Sequence, residues 1–188
     1  MGELEFSPKP PAPKPAVTLE AHPADGQMKV HILKATDQHE LLVGDFEIQL
    51  EAVDEVPTRI DAKVALGSLQ GGPPGLVEDL ASEPFFDLAT FPAARLRATH
   101  FVASPDHPKM WTSDAELTVQ GLTYPARVTL EFEGRDGYWH GDAQMEIDPR
   151  ELGFESPSID AEMVHGVVVS VQVRVPTERP ADTPDPDL

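Results

Sequence analysis

The stretch Val167-Val168-Val169-Ser170-Val171-Gln172-Val173-Arg174-Val175 puts a valine at every second position, with polar residues between them from Ser170 onward. Successive side chains of a strand point to opposite faces, so this spacing reads as a strand with one dry and one wet face. The same period recurs upstream. Ala143, Met145 and Ile147 alternate with Asp142, Gln144, Glu146 and Asp148; Val128, Leu130 and Phe132 alternate with Arg127, Thr129, Glu131 and Glu133. Leu117 and Val119 alternate with Glu116, Thr118 and Gln120, and Ile60, Ala62, Val64 and Leu66 with Arg59, Asp61, Lys63 and Ala65. Between the runs, Gly121-Leu122-Thr123-Tyr124-Pro125 and Gly134-Arg135-Asp136-Gly137 read as hairpin connections. Many short antiparallel strands at this spacing predict an all-β sandwich or closed barrel. One stretch breaks the period. Pro73-Pro74-Gly75-Leu76-Val77-Glu78-Asp79-Leu80 sets two leucines four apart after helix-starting prolines, which predicts one short helix capping the barrel.

Composition narrows the function. The chain is 40% apolar but only 6% aromatic, so the core must be largely aliphatic. Small inward residues such as Ala62, Ala98, Ala143 and the valine series leave room inside a barrel of about eight strands, although a barrel plugged by its own side chains fits the same pattern. Without cysteine there is no disulfide, thiolate metal site or cysteine nucleophile. A net charge of −19 repels phosphate backbones and anionic membrane surfaces, so nucleic acid is not an expected partner. No apolar run is long enough to span a membrane. No secretory signal is visible, so the expected location is cytoplasmic, or periplasmic if a leader has been removed. Residues 7 to 16 carry five prolines, which predicts a disordered proline-rich leader over 1–16. The acidic, proline-rich end predicts a disordered tail over 177–188, leaving one domain at 17–176.

Further landmarks resemble a known family. Leu42-Val43-Gly44-Asp45-Phe46 matches its early G-x-F, and Pro84-Phe85-Phe86-Asp87-Leu88-Ala89-Thr90-Phe91-Pro92 its FFDV-then-YP element. Residues 116–125 and Ile147-Asp148-Pro149-Arg150-Glu151-Leu152-Gly153-Phe154 are similar to its LT-x-x-G-x-T-x-P hairpin and R-x-D/E-F-G element. In this order the landmarks resemble the YceI-like family over 17–176. That resemblance implies a lipocalin-like antiparallel β-barrel of about eight strands with one or two short helices. It also implies a tunnel for polyisoprenoid chains such as prenyl diphosphates or quinones, and no general enzymatic activity. The chain departs from the pattern at Leu96, Tyr124 and His165, where the family favours Phe, Arg and an acidic or glycine neighbourhood. Those departures bear on ligand identity.

Parity assigns the lining. Phe46, Ile48, Leu50, Ile60, Val64, Leu96, Ala98, Leu117, Val119, Leu130, Phe132, Met145, Ile147, Val169 and Val171 are expected to face inward, each also readable as plain core. Phe85, Phe86 and Phe91 are expected to close one end or brace the helix. For a polar head group the candidates are Arg95, Arg97, Arg127, Arg150 and His100; Arg150 and His100 stand out, His100 because it shares parity with Leu96 and Ala98. The seven histidines show no metal spacing, and no nucleophile elbow or phosphate cradle is present. The expected function is non-enzymatic carriage or sequestration of an isoprenoid or other long apolar lipid, with no cofactor. A scaffold for protein interaction or stress response, and less readily a lipid-modifying hydrolase, stay open, as does a homodimer.

Overall fold

The computed structural model describes residues 16–34, 37–81, 87–148 and 164–177. Its strands are β1 (Ala16–Ala21), β2 (Gly26–Lys34), β3 (Gln38–Val43), β4 (Phe46–Val53), β5 (Val56–Ala65), β6 (Leu69–Gly71), β7 (Ala93–Ala103), β8 (Met110–Val119), β9 (Leu122–Arg135), β10 (Tyr138–Ile147) and β11 (Val164–Pro176). All pairings are antiparallel, in the order β1-β4-β5-β7-β8-β9-β10-β11-β2-β3-β6.

That linear order conceals a ring. β1 passes into β2 through residues 22–25, β3 into β4 through Gly44 and Asp45, and β5 into β6 through Leu66–Ser68. Each of these three chain passes is bent at a corner and counted twice. Both halves of the first pass pair with the second (β1 with β4, β2 with β3), and both halves of the second pair with the third. β7 to β11 then follow in chain order and β11 returns to β2, so the pairing runs all the way round. The structure therefore has 11 strands rather than the expected eight or so. The excess arises where the ladder is interrupted at a corner. At one corner the Ser68 side chain replaces ladder bonds: its hydroxyl accepts from Asp45 N at 2.9 Å and donates to Ala65 O at 2.6 Å, while Gly44 N donates to Ser68 O.

The tight turns set the ends of the barrel. Asp54 and Glu55 (φ 54° and 63°), Gln120 and Gly121 (52° and 73°), and Asp136 and Gly137 (54° and 77°) each have two successive left-handed residues. Such turns match the twist of antiparallel strands. The expected hairpin at 134–137 is present, but the one expected over 121–125 is not. The turn there is Gln120-Gly121, and Leu122 to Pro125 already belong to β9. Pro125 is tolerated because the ladder from β9 to β10 begins at Arg127, leaving a partner on one side only.

The expected short helix is α1, Leu76–Ala81. Its Leu80 is 7% exposed and belongs to a cluster with Met28, Ile32, Leu41, Val43, Phe46 and Leu69. Among the described residues no helix is long and apolar enough to cross a membrane. Ala16, assigned by sequence to the leader, opens β1, and Thr177 donates to Gly137 O through its backbone N and its hydroxyl. The rest of the expected leader and tail lies outside the described residues.

Candidate functional site

The inner wall is built row by row from the register. Ala98 on β7 stands opposite Ala115 on β8, which stands opposite Ala126 on β9. Beside that row runs Phe101, Ser113, Val128, Met145, Val169, Val30 and Leu41, crossing seven strands. Three alanines in register remove side-chain volume from one wall, and the valines of β11 stay short on the other. Ser113 is the buried polar residue of this wall, and its hydroxyl is satisfied by Asp114 O at 2.9 Å.

Buried side chains form two groups. One is centred on β4, β5 and β7 to β10; the other joins β2, β3, β6 and α1. Ile48, Val64 and Val169 pack against both and are only partly buried. Leu41 and Val128, by contrast, are 1% and 2% exposed. Ile147 and Val173 are partly buried as well, and none of these five lines either of the two surface clefts described below.

The ends differ in chemistry. Where the Asp54-Glu55 and Asp136-Gly137 turns lie, Trp111, Phe132 and Trp139 gather, with Phe132 and Trp139 stacked at 5.0 Å between ring centroids. A side chain on Gly134 would meet Trp139 Cζ3 at 3.1 Å, so a glycine gives the indole its place across β9. The other end carries the Gln120-Gly121 turn, Phe91 close to Gly121, and two polar inward residues that parity alone did not single out. His39 shares parity with Leu41 and Val43 and has a side chain 17% exposed, with Nε2 3.7 Å from Asp37 Oδ2. Tyr124 lies in the row Leu96, Leu117, Tyr124 and is half-buried.

The expected lining residues Phe46, Ile48, Leu50, Ile60, Val64, Leu96, Ala98, Leu117, Val119, Leu130, Phe132, Met145, Ile147, Val169 and Val171 all carry inward parity and are buried or half-buried. His100 does not join them. A bulge between Ala98 and His100 adds one residue to β7, so Thr99 and His100 are both exposed and bonded to each other at 3.0 Å. Arg95, Arg97 and Arg127 lie on the outer face. Arg150, Phe85 and Phe86 lie outside the described residues.

The ionic pairs belong to the outer wall. Asp61 accepts from Nε of both Arg59 and Arg97; burial pushes its carboxyl up, but these two bonds prevail and hold it below the ordinary value. Glu133 is held below its ordinary value chiefly by a hydrogen bond from Lys109. One outer cleft of about 480 Å3 spans β2, β11, β10 and β9 and is lined by Gln27, Lys29, His31, Gln144 and Ser170 among others. A second, of about 360 Å3, lies on β4, β5, β7 and β8. Both present charged and polar side chains, and apolar residues border them too: Met110, Ala143, Val168 and Val171 the first, Ala62 and Leu96 the second. No group of three metal-ligating side chains occurs among the described residues.

Comparison with known proteins agrees with this architecture. The family profile described as YceI-like domain matches residues 20–178. Burkholderia cenocepacia BcnA superposes with a TM-score of 0.70 at 14% identity, covering 80% of this chain and 96% of that one. A Campylobacter jejuni YCEI protein gives a TM-score of 0.59 at 12% identity, covering 74% and 85%. A polyisoprenoid binding domain from Saccharophagus degradans, implicated in plant cell wall breakdown, also gives 0.59 at 12%, covering 85% and 98%. At these identities the structural likeness carries the fold alone. No functionally curated protein matches the sequence.

Proposed function

Because this chain belongs to the YceI-like family, we propose that it carries or sequesters, without catalysis, an isoprenoid or similar long apolar lipid inside the barrel. The observation that bears most weight is the partial burial of Ile48, Val64 and Val169 between two well-buried groups. Interiors pack to crystal density where they are filled, so inward side chains with residual exposure favour an interior with space. The name of the Saccharophagus degradans domain supports the same ligand class.

Desolvation drives this binding, at about 0.8 kcal/mol for each buried methylene. The two ends orient the ligand. An apolar tail suits the Trp111, Phe132 and Trp139 end, and a head group of diphosphate or quinone type suits the end bearing His39 and Tyr124. His39 thereby takes the part first given to His100.

The chain's two tryptophans both pack in the barrel interior, which supplies a direct readout. A short-chain isoprenoid quinone titrated into the protein is expected to quench their fluorescence saturably, near one equivalent. A strictly linear, collisional response shared with free tryptophan would count against an interior site.

A further inference from the structure

We propose a second site, on the outside of the barrel: a cleft on β5 and β7 that binds a phosphate-type oxyanion through Lys63 and Arg95. The two cations stand directly opposite each other across the ladder, and both are exposed. Like charges in that relation destabilise a sheet. The chain has 33 acidic residues and only 14 lysines and arginines, so acid–base pairing on this wall would have been easy to arrange. It is arranged at three positions, with Glu51 across from Arg59, Glu47 from Lys63 and Glu116 from Arg97, whereas Arg95 faces only Lys63 and Thr118.

The neighbouring acids make no close ion pair with either cation. Asp61 spends both carboxylate oxygens on Nε of Arg59 and Arg97, leaving the terminal nitrogens of Arg97 to donate elsewhere. Glu47 stands across from Lys63 and Glu116 across from Arg97, yet neither comes within ion-pair distance. Among the described residues Lys63 and Arg95 have no ion pair. Thr118, opposite Arg95, adds a hydroxyl to the lining.

The cleft's shape selects the kind of ligand. It measures about 360 Å3 and is lined by the cations Lys63, Arg95 and Arg97, the acids Glu47, Asp61 and Glu116, and half-buried Ala62 and Leu96 among others. A concave polar cleft of this size suits a compact oxyanion such as phosphate or diphosphate. Arginine's fork and the lysine ammonium together match two or three phosphate oxygens. Bound anion would relieve the repulsion between the two cations. Because both are exposed, the binding should weaken steeply with added salt.

The phosphate group could be free or carried by a lipid, and two arms separate these sources. In solution, inorganic phosphate and diphosphate are titrated while amide NMR signals of β5 and β7 are followed. In the second arm, flotation is measured with phosphatidylcholine vesicles with and without phosphatidic acid. Saturable shifts on β5 and β7, weakened about tenfold in both Lys63→Gln and Arg95→Gln, would establish a site for free phosphate. Flotation that needs phosphatidic acid and is lost in both variants would establish the same site with a lipid as its source. Both substitutions are on the exposed face, and circular dichroism checks that the barrel persists. Absence of both responses, or responses unchanged in both variants, would overturn the proposal.

Discussion

Asp61 is the residue where charge and fold are most tightly joined on the outer wall. Its two arginine donors depress its folded pKa. A depressed carboxyl stabilises the fold above the unfolded value, about 4, and that contribution is lost as pH falls through the folded value. Asp61→Asn should therefore lower the urea midpoint at pH 7, and the gap from the parent should narrow as pH is taken below about 4. A gap unchanged between pH 7 and pH 3 would show that the pair contributes no net stabilisation. The histidines show what parity can and cannot give at this scale. His39 was reachable by counting from Leu41, because β3 is regular. The orientation of His100 was not, because a bulge leaves no mark in the alternation of Leu96 and Ala98 before it.

Elements repeat the lesson with different physics. Strands were legible wherever one face is dry, since period two follows directly from the pleat. Corners were not. Gly44 interrupts a run that otherwise keeps its alternation, and Leu66 looks like one more inward residue of β5, although it opens the 3-10 turn Leu66–Ser68. The Asp136-Gly137 turn carried its own signature, while Asp54-Glu55 adopts the same left-handed pair without glycine or asparagine at its second position. Glu55 therefore carries avoidable strain. Glu55→Gly should raise the unfolding free energy by about 0.5 kcal/mol, the relief of strain outweighing the added freedom of the unfolded chain. Urea titration of both proteins checks this, and a loss of stability would mean that the Glu55 contact near Gly134 outweighs the strain.

For the molecule as a whole, the described residues form eight chain passes whose pairing closes into a ring and leaves no long exposed edge among them. Which residues face inward was largely legible because closure turns strand parity into inside and outside. What parity could not supply was the contrast between ends: the aromatic group arises from register across β8, β9 and β10, which no single run displays. The proposed binding places an apolar chain inside the barrel beside Ile48, Val64 and Val169, which are partly buried between the two groups. Native mass spectrometry of freshly purified protein, with solvent extraction of whatever is bound, tests it most directly. The expected result is a mass excess identified as an isoprenoid or quinone, absent from a Val169→Trp variant that still folds and melts cooperatively. A bare protein mass with no uptake from an added isoprenoid panel, or cargo unaffected by Val169→Trp, would contradict it.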